Sequence, residues 1–344
     1  LCNKDPIAKI PDILLILNLF LNLKLMTPNI VFLDAFTSNP GDISFDELAG
    51  LGTFTAYDRT DLDQLESRAG HADIIIVNKF PINSQTLDKM PHLKYIVVAA
   101  TGYNNIDIQT VTSKGISVSN VKGYSTESVT QHVFASILAI NNKVEYYNNA
   151  VKEGRWSNCP DFCFFDQPIF ELSGSTLGII GYGAIGKRVG EVALAFGMKV
   201  LVYTRNTNQT KPANLEFCDL ETLFSNADVL TLHCPLTDDT KEIVNKHKLS
   251  LMKPSSILIN TGRGGLINEQ ALFYALDHGV ISGAALDVLI QEPPYHHHPL
   301  VLHPKAIITP HIAWASQNAR QTLITSVAKN IRMFMDGQIL NQVC

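Results

Sequence analysis

The stretch TLGIIGYGAIGKRVGEVALAFG, residues 176–197, constrains the fold more than any other. A short apolar run leads into Gly181-x-Gly183-x-x-Gly186, a helical pattern follows, and a second apolar run, KVLVYT, comes next. Three glycines at this spacing mean little alone. Between a strand and a helix, Gly181 permits a tight bend, Gly183 lets the backbone approach an anion, and Gly186 lets helix and strand pack closely. Such a turn aims unpaired N–H groups at a pyrophosphate, so the expected ligand is a dinucleotide.

The end of the next strand refines that expectation. About 20 residues past the glycines, an acidic side chain would bond the ribose hydroxyls and repel a 2′-phosphate. This chain has Thr204 and then Arg205. Thr204 repels nothing and Arg205 can pair with a phosphate, which favours NADP(H). The alternative is a solvated Arg205 and bound NAD.

The rest of the chain repeats the same grammar. Short, nearly continuous apolar runs recur at 29–34, 53–58, 73–77, 94–99 and 116–119, separated by polar, helix-compatible stretches. A second set begins at 176. Continuous apolar runs are expected of parallel strands covered on both faces, so the class is α/β. A length of 344 suggests roughly two domains. Between the two sets lies a helical stretch, 126–152, capped by Ser125 or Thr126, and then the aromatic segment WSNCPDFCFFDQPIFELSG.

Composition excludes other classes. With 46% hydrophobic and 17% charged residues, the chain can fill real cores. A net charge of −5 with no basic block argues against nucleic acid or an anionic membrane as partner. Six scattered cysteines, the nearest pair being Cys159 and Cys163, suggest free thiols in a reducing compartment such as the cytoplasm. The apolar stretch 12–25 is short and broken by asparagines, too short for a membrane span. Residues 1–25 are expected to be an extension outside the fold, with the domain starting at Met26.

Three later stretches carry chemistry. In LINTGRGGLINEQAL, Arg263 follows a strand in a glycine-flanked loop. In GAALDVLIQEPP, Asp287 and Glu292 follow the next strand, and in IITPHIAWAS, His311 follows another. Strand C-termini of an open parallel sheet face the ligand crevice. An arginine at such a crevice can hold an anion, and a histidine can move a proton.

Together these stretches resemble the D-isomer-specific 2-hydroxyacid dehydrogenases, from about residue 29 to 340. Within that family the chain is most similar to the glycerate dehydrogenase and hydroxypyruvate reductase group, on HIAWAS with Trp314 and on WSNCPDFCFF. The resemblance implies two parallel-sheet domains, with a Rossmann-type dinucleotide-binding domain inserted into a flavodoxin-like substrate domain. The implied boundaries are 26–124 with 309–344 for substrate and 125–308 for dinucleotide, with substrate in a closing cleft. It implies an NAD(P)-dependent hydride transfer between the nicotinamide and hydroxypyruvate or glyoxylate, giving D-glycerate or glycolate. Arg263, Glu292 and His311 are the implied catalytic set. Asn78, Lys79, Thr101 and Gly102 join Arg263 at the substrate. Gly181, Gly183, Ala184, Ile185, Gly186, Thr204, Arg205, His233, Cys234, Pro235, Thr240, Thr261, Gly262 and Asp287 line the cofactor. Asp287 either meets the nicotinamide ribose or supports the site. A homodimer through 126–152 and the aromatic segment is expected, unless these residues are intramolecular core.

Plainer readings stand beside these. Arg263 can be a structural loop cation, Glu292 a surface charge, His311 a satisfied strand-end histidine, and Lys79 a solvated side chain. Three adjacent histidines, 296–298, cannot readily converge on one ion, so a surface loop is expected there and no metal. A D-lactate-type enzyme is the nearest functional alternative. A dinucleotide-sensing, corepressor-like binding protein is the alternative of another class.

Overall fold

The computed structural model describes residues 27–344. The stretch 1–25, read above as an extension, lies outside the described residues. Two compact units divide the chain: one holds the residues up to Tyr124 together with Arg320–Cys344, the other Ser125–Ala319.

The first unit is a five-stranded sheet, built from β1 (Asn29–Phe32), β2 (Thr53–Ala56), β3 (Ile74–Val77), β4 (Tyr95–Val98) and β5 (Ser117–Ser119). Its order is β2-β1-β3-β4-β5 and every pairing is parallel. That is the flavodoxin-like order, with its switch point between β1 and β3. The central strands β3 and β4 are buried at every position, as four-residue apolar runs should be when both faces are covered. The C-terminal helix Gln317–Met335 contributes to the covering layer. Phe334 stacks on Tyr95 with ring centres 4.1 Å apart, and Asn330 Nδ2 donates to the Asn120 carbonyl at 3.0 Å. Arg320 makes a two-pronged bond to Asp42 at 2.6 Å on each arm.

The second unit carries β6 (Thr176–Ile180), β7 (Lys199–Tyr203), β8 (Leu215–Phe217), β9 (Val229–Leu232), β10 (Ile257–Asn260), β11 (Gly283–Leu286) and β12 (Ala306–Ile308). The order is β12-β11-β10-β9-β6-β7-β8, again all parallel. Strand order reverses between β6 and β9, the place where open α/β sheets bind ligands. β9, β10 and β11 are buried throughout, whereas the edge strand β12 is only half covered.

Two expectations need correction. The stretch 126–152 is not one helix. It breaks at Lys143, whose φ of 50° is left-handed, between Thr126–Asn142 and Val144–Lys152. Asn141 and Asn142 lead into the break, and asparagine is a poor helix former. Ser125 stands at the N-cap but its side chain makes no capping bond. Among the described residues, no helix is long and apolar enough to cross a membrane.

Candidate active site

The glycine turn follows β6 directly. Gly181 has φ +98°, and a Cβ there would lie 2.6 Å from the Cys234 nitrogen and 2.7 Å from the His233 carbonyl carbon. The turn after β6 and the loop after β9 therefore touch backbone to backbone at the order reversal. A Cβ on Gly186 would sit 2.1 Å from the Gly181 carbonyl oxygen, so the helix starts hard against the turn. Gly183 differs: a Cβ there would meet nothing within 4 Å. It is the N-cap of the helix Ala184–Ala195, no side chain caps that helix, and Ala184 and Ile185 form its first turn. The leading N–H groups of such a helix have no intrahelical partner. Beyond β10, the Thr261 hydroxyl is buried without a hydrogen-bond partner. An uncapped N-terminus, an open cradle and an orphaned hydroxyl fit a dinucleotide.

Thr204 and Arg205 follow β7 beside this cradle, Thr204 half-buried and Arg205 exposed. Burial pushes the Cys234 thiol up to about 11, against a smaller opposing pull from its own backbone and the Arg205 charge. The arginine is thus close enough to act on the loop after β9. At neutral pH Cys234 is a thiol and no nucleophile. Burial pushes His233 down to about 3, leaving a neutral ring whose Nε2 pairs with Thr231 Oγ1 at 3.0 Å. Thr240 closes the same loop, donating to the Pro235 carbonyl at 2.6 Å.

Arg263, Glu292 and His311 follow three neighbouring strands, β10, β11 and β12. Asn260, fully buried, braces the first loop: its Nδ2 donates to the Arg263 carbonyl at 2.8 Å and its Oδ1 accepts from Gly262 at 3.0 Å. Arg263 Nη1 donates to the Gly262 carbonyl at 2.7 Å. Glu292 Oε2 meets His311 Nδ1 at 2.6 Å, with the side chains 37% and 26% exposed. This leaves Nε2 of His311 as the nitrogen that can hold or deliver a proton.

His311 has φ +55°, an uncommon conformation for any residue but glycine. Asp287 accounts for its persistence. This carboxylate is 2% exposed and accepts from Thr309 Oγ1 at 2.6 Å, Ile312 N at 2.9 Å and Ala313 N at 2.8 Å. The His311 N–H donates to the Asp287 carbonyl at 2.9 Å, and Trp314 Nε1 donates to the His311 carbonyl at 2.9 Å. His132, from the helix Thr126–Asn142, pairs with Thr309 Oγ1 at 3.1 Å. Asp287 thus supports the segment that carries His311.

In the first unit, Asn78 and Lys79 follow β3, and Thr101 and Gly102 follow β4. Asp34, after β1, accepts from the backbone N–H groups of Asn78, Lys79 and Phe80 at 2.7, 2.6 and 2.8 Å. Asn78 is buried and its Nδ2 donates to the Ala99 carbonyl at 2.8 Å. Thr101 Oγ1 donates to the Val121 carbonyl at 2.9 Å. Lys79 and Thr101 are exposed and Gly102 is half-buried.

The expectation of a surface loop at 296–298 holds for His296 and His297 and fails for His298, which is 5% exposed. Pro299 opens the helix Pro299–Leu302, Leu300 enters the core, and His298 is drawn in with them to Glu269. Among the described residues, no group of three or more His, Cys, Asp or Glu side chains could hold a metal ion. Asp34, His132 and Asn260 went unnoticed in the sequence; only the place of Asp34 and Asn260 at strand ends could have flagged them.

A dinucleotide cradle at the switch point, beside a histidine–carboxylate pair and an arginine, defines an NAD(P)-dependent oxidoreductase. Residues 134–313 match the family model "D-isomer specific 2-hydroxyacid dehydrogenase, NAD binding domain". The chain is 42% identical to a hydroxypyruvate reductase of Blautia hydrogenotrophica, over 91% of this chain and 99% of that one. It is 40% identical to a glycerate dehydrogenase of Methylorubrum extorquens, over 92% and 99%. Among solved structures, an acyclic imino acid reductase in complex with NADPH and D-Arg aligns with a TM-score of 0.79 at 31% identity, covering 92% of this chain and 100% of that one. A D-lactate dehydrogenase from Aquifex aeolicus, complexed with NAD and lactic acid, aligns at 0.74 and 31%, covering 90% and 96%. The chain belongs to the D-isomer-specific 2-hydroxyacid dehydrogenase family, and its cofactor is a nicotinamide dinucleotide.

Proposed function

We propose that this protein reduces hydroxypyruvate or glyoxylate, to D-glycerate or glycolate, with NADPH preferred over NADH. The single observation that carries the acid–base chemistry is the 2.6 Å pair of Glu292 Oε2 and His311 Nδ1; the substrate follows the hydroxypyruvate reductase and glycerate dehydrogenase relatives, and the NADPH preference follows Thr204 and Arg205. When bound, the reduced nicotinamide supplies hydride to the carbonyl carbon. Arg263 anchors the keto acid and polarises its carbonyl. His311 gives the Nε2 proton to the carbonyl oxygen, and Glu292 favours the imidazolium before that transfer. In the reverse direction His311 is the base. Asn78, Lys79, Thr101 and Gly102 belong to the substrate-binding set, so the first unit is the substrate domain and the second the dinucleotide domain. Thr204 tolerates and Arg205 pairs with a 2′-phosphate. A second copy of the chain covers the aromatic segment, where Phe162 is 88% and Phe165 76% exposed, making a homodimer. The setting is the cytoplasm.

Initial rates with hydroxypyruvate, glyoxylate and pyruvate, each with NADPH and NADH, test the reading. The expected result is the highest kcat/KM for hydroxypyruvate with NADPH, with the preference for NADPH lost in Arg205→Ala. A higher value for pyruvate would point to a D-lactate-type enzyme. Tight dinucleotide binding without turnover of any acid would point to a sensor.

A further inference from the structure

The turn that carries Glu292 is gripped from two sides, by groups that no step above uses. On one side is the backbone of Gly264, next to Arg263. A Cβ there would lie 2.0 Å from the Leu289 carbonyl carbon, 2.2 Å from its oxygen and 2.3 Å from the Ile290 nitrogen, so no side chain can intervene. On the other side is Glu269, the first residue of the helix Glu269–Asp277. Its Oε1 accepts from the Ile290 N–H at 2.8 Å and its Oε2 meets His298 Nε2 at 3.2 Å. The two side chains are 18% and 6% exposed.

The contacts form one continuous run. His298 bonds Glu269, and Glu269 holds the Ile290 N–H. One residue earlier, the Leu289 N–H donates to Glu292 Oε1 at 3.0 Å, and Glu292 Oε2 reaches His311. The other ring nitrogen of His298, Nδ1, is buried with no hydrogen-bond partner. Packing alone gives no reason to sink an imidazole beside Leu300 with one nitrogen unsatisfied. An apolar side chain of similar size would fill the position without that loss. The ring also lies against Tyr295, with ring centres 5.0 Å apart, but that contact needs no nitrogen, whereas the bond to Glu269 does.

We propose that Glu269 and His298 are positioning residues for the acid–base pair. They fix the Leu289–Glu292 turn so that the Glu292 carboxylate stays on His311. This inference rests on the reading of His311 as proton donor. A shift of about 1 Å in a catalytic group costs on the order of a hundredfold in rate, so a partly loosened turn is expected to cost about tenfold.

The test is a set of variants assayed with hydroxypyruvate and NADPH, with dinucleotide Kd and Tm measured beside kcat and KM. Glu269→Ala is expected to lower kcat about tenfold with the dinucleotide Kd within about twofold. Glu269→Gln, which keeps an oxygen for the Ile290 N–H, should recover most of that loss. His298→Ala should fall between the two. When Glu292→Gln is already present, adding Glu269→Ala should cost less than about twofold, because the positioned group is gone. Equal losses in both backgrounds, or a Glu269→Gln enzyme as poor as Glu269→Ala, overturn the proposal. If Glu269→Ala does not fold, His298→Ala, which keeps the acceptor for Ile290, takes its place in the same cycle with the same two outcomes. An impaired Glu292→Gln beside an unimpaired Glu269→Ala rejects only the grip. A Glu292→Gln enzyme with unchanged kcat removes Glu292 from the acid–base step and so overturns the proposal from the side of the reading it rests on.

Discussion

The two units are both parallel sheets whose strand-end carboxylates and amides brace backbone in the same way, and the second adds a carboxylate–histidine pair to that bracing. In the second unit, Asn260 and Asp287 hold backbone, and a further carboxylate holds a ring that stays partly exposed. Glu292 holds the ring of His311, and Asp287 holds the segment on either side of it. In the first unit, polar side chains are spent on the backbone. Asp34 takes three backbone N–H groups, while Asn78 and Thr101 each donate to a carbonyl. On the reading proposed above, the second edge moves a proton, and the first holds loops in the fixed shape that main-chain recognition of a small anion requires. On that reading the two sheets divide chemistry from recognition through the one added carboxylate–histidine pair.

The sharpest way to break this contrast is Arg263→Ala. On the present reading it lowers kcat/KM about a thousandfold, while the dinucleotide Kd, measured by fluorescence titration, stays within about threefold of wild type. A loss confined to dinucleotide affinity would make Arg263 a structural loop cation. Asp34→Ala is the counterpart in the first unit and should act more mildly. It removes the shared acceptor of three N–H groups, so the KM for the keto acid should rise about tenfold while kcat falls less than about threefold. Equal damage to kcat would mean that the first unit shares in the chemistry as well as in recognition.

Much of this was legible in the sequence because burial writes itself into apolar runs. The five runs of the first set overlap β1 to β5, with ends differing by one or two residues. The glycine turn was legible because its spacing, its preceding strand and its following helix all had to agree. Arg263, Glu292 and His311 could be picked out because each follows a strand. What stayed hidden depends on contacts between residues far apart in the chain. Nothing in the local pattern shows that Asp34 will accept from the N–H groups after β3, or that His298 will turn inward to Glu269. The three-residue strand β8 is too short to show a period, and the two asparagines before Lys143 weaken a helix without fixing where it ends. His132 sits in a helix where its spacing matches any half-buried position, so its place beneath Thr309 had no local signal.

The most direct measurement is the rate of NADPH-dependent hydroxypyruvate reduction by wild type and His311→Ala, each at saturating dinucleotide. Wild type should turn over, and His311→Ala should lose about a thousandfold in kcat with dinucleotide binding retained. A His311→Ala enzyme within about threefold of wild type would contradict the assignment of His311, and with it the role given to Glu292.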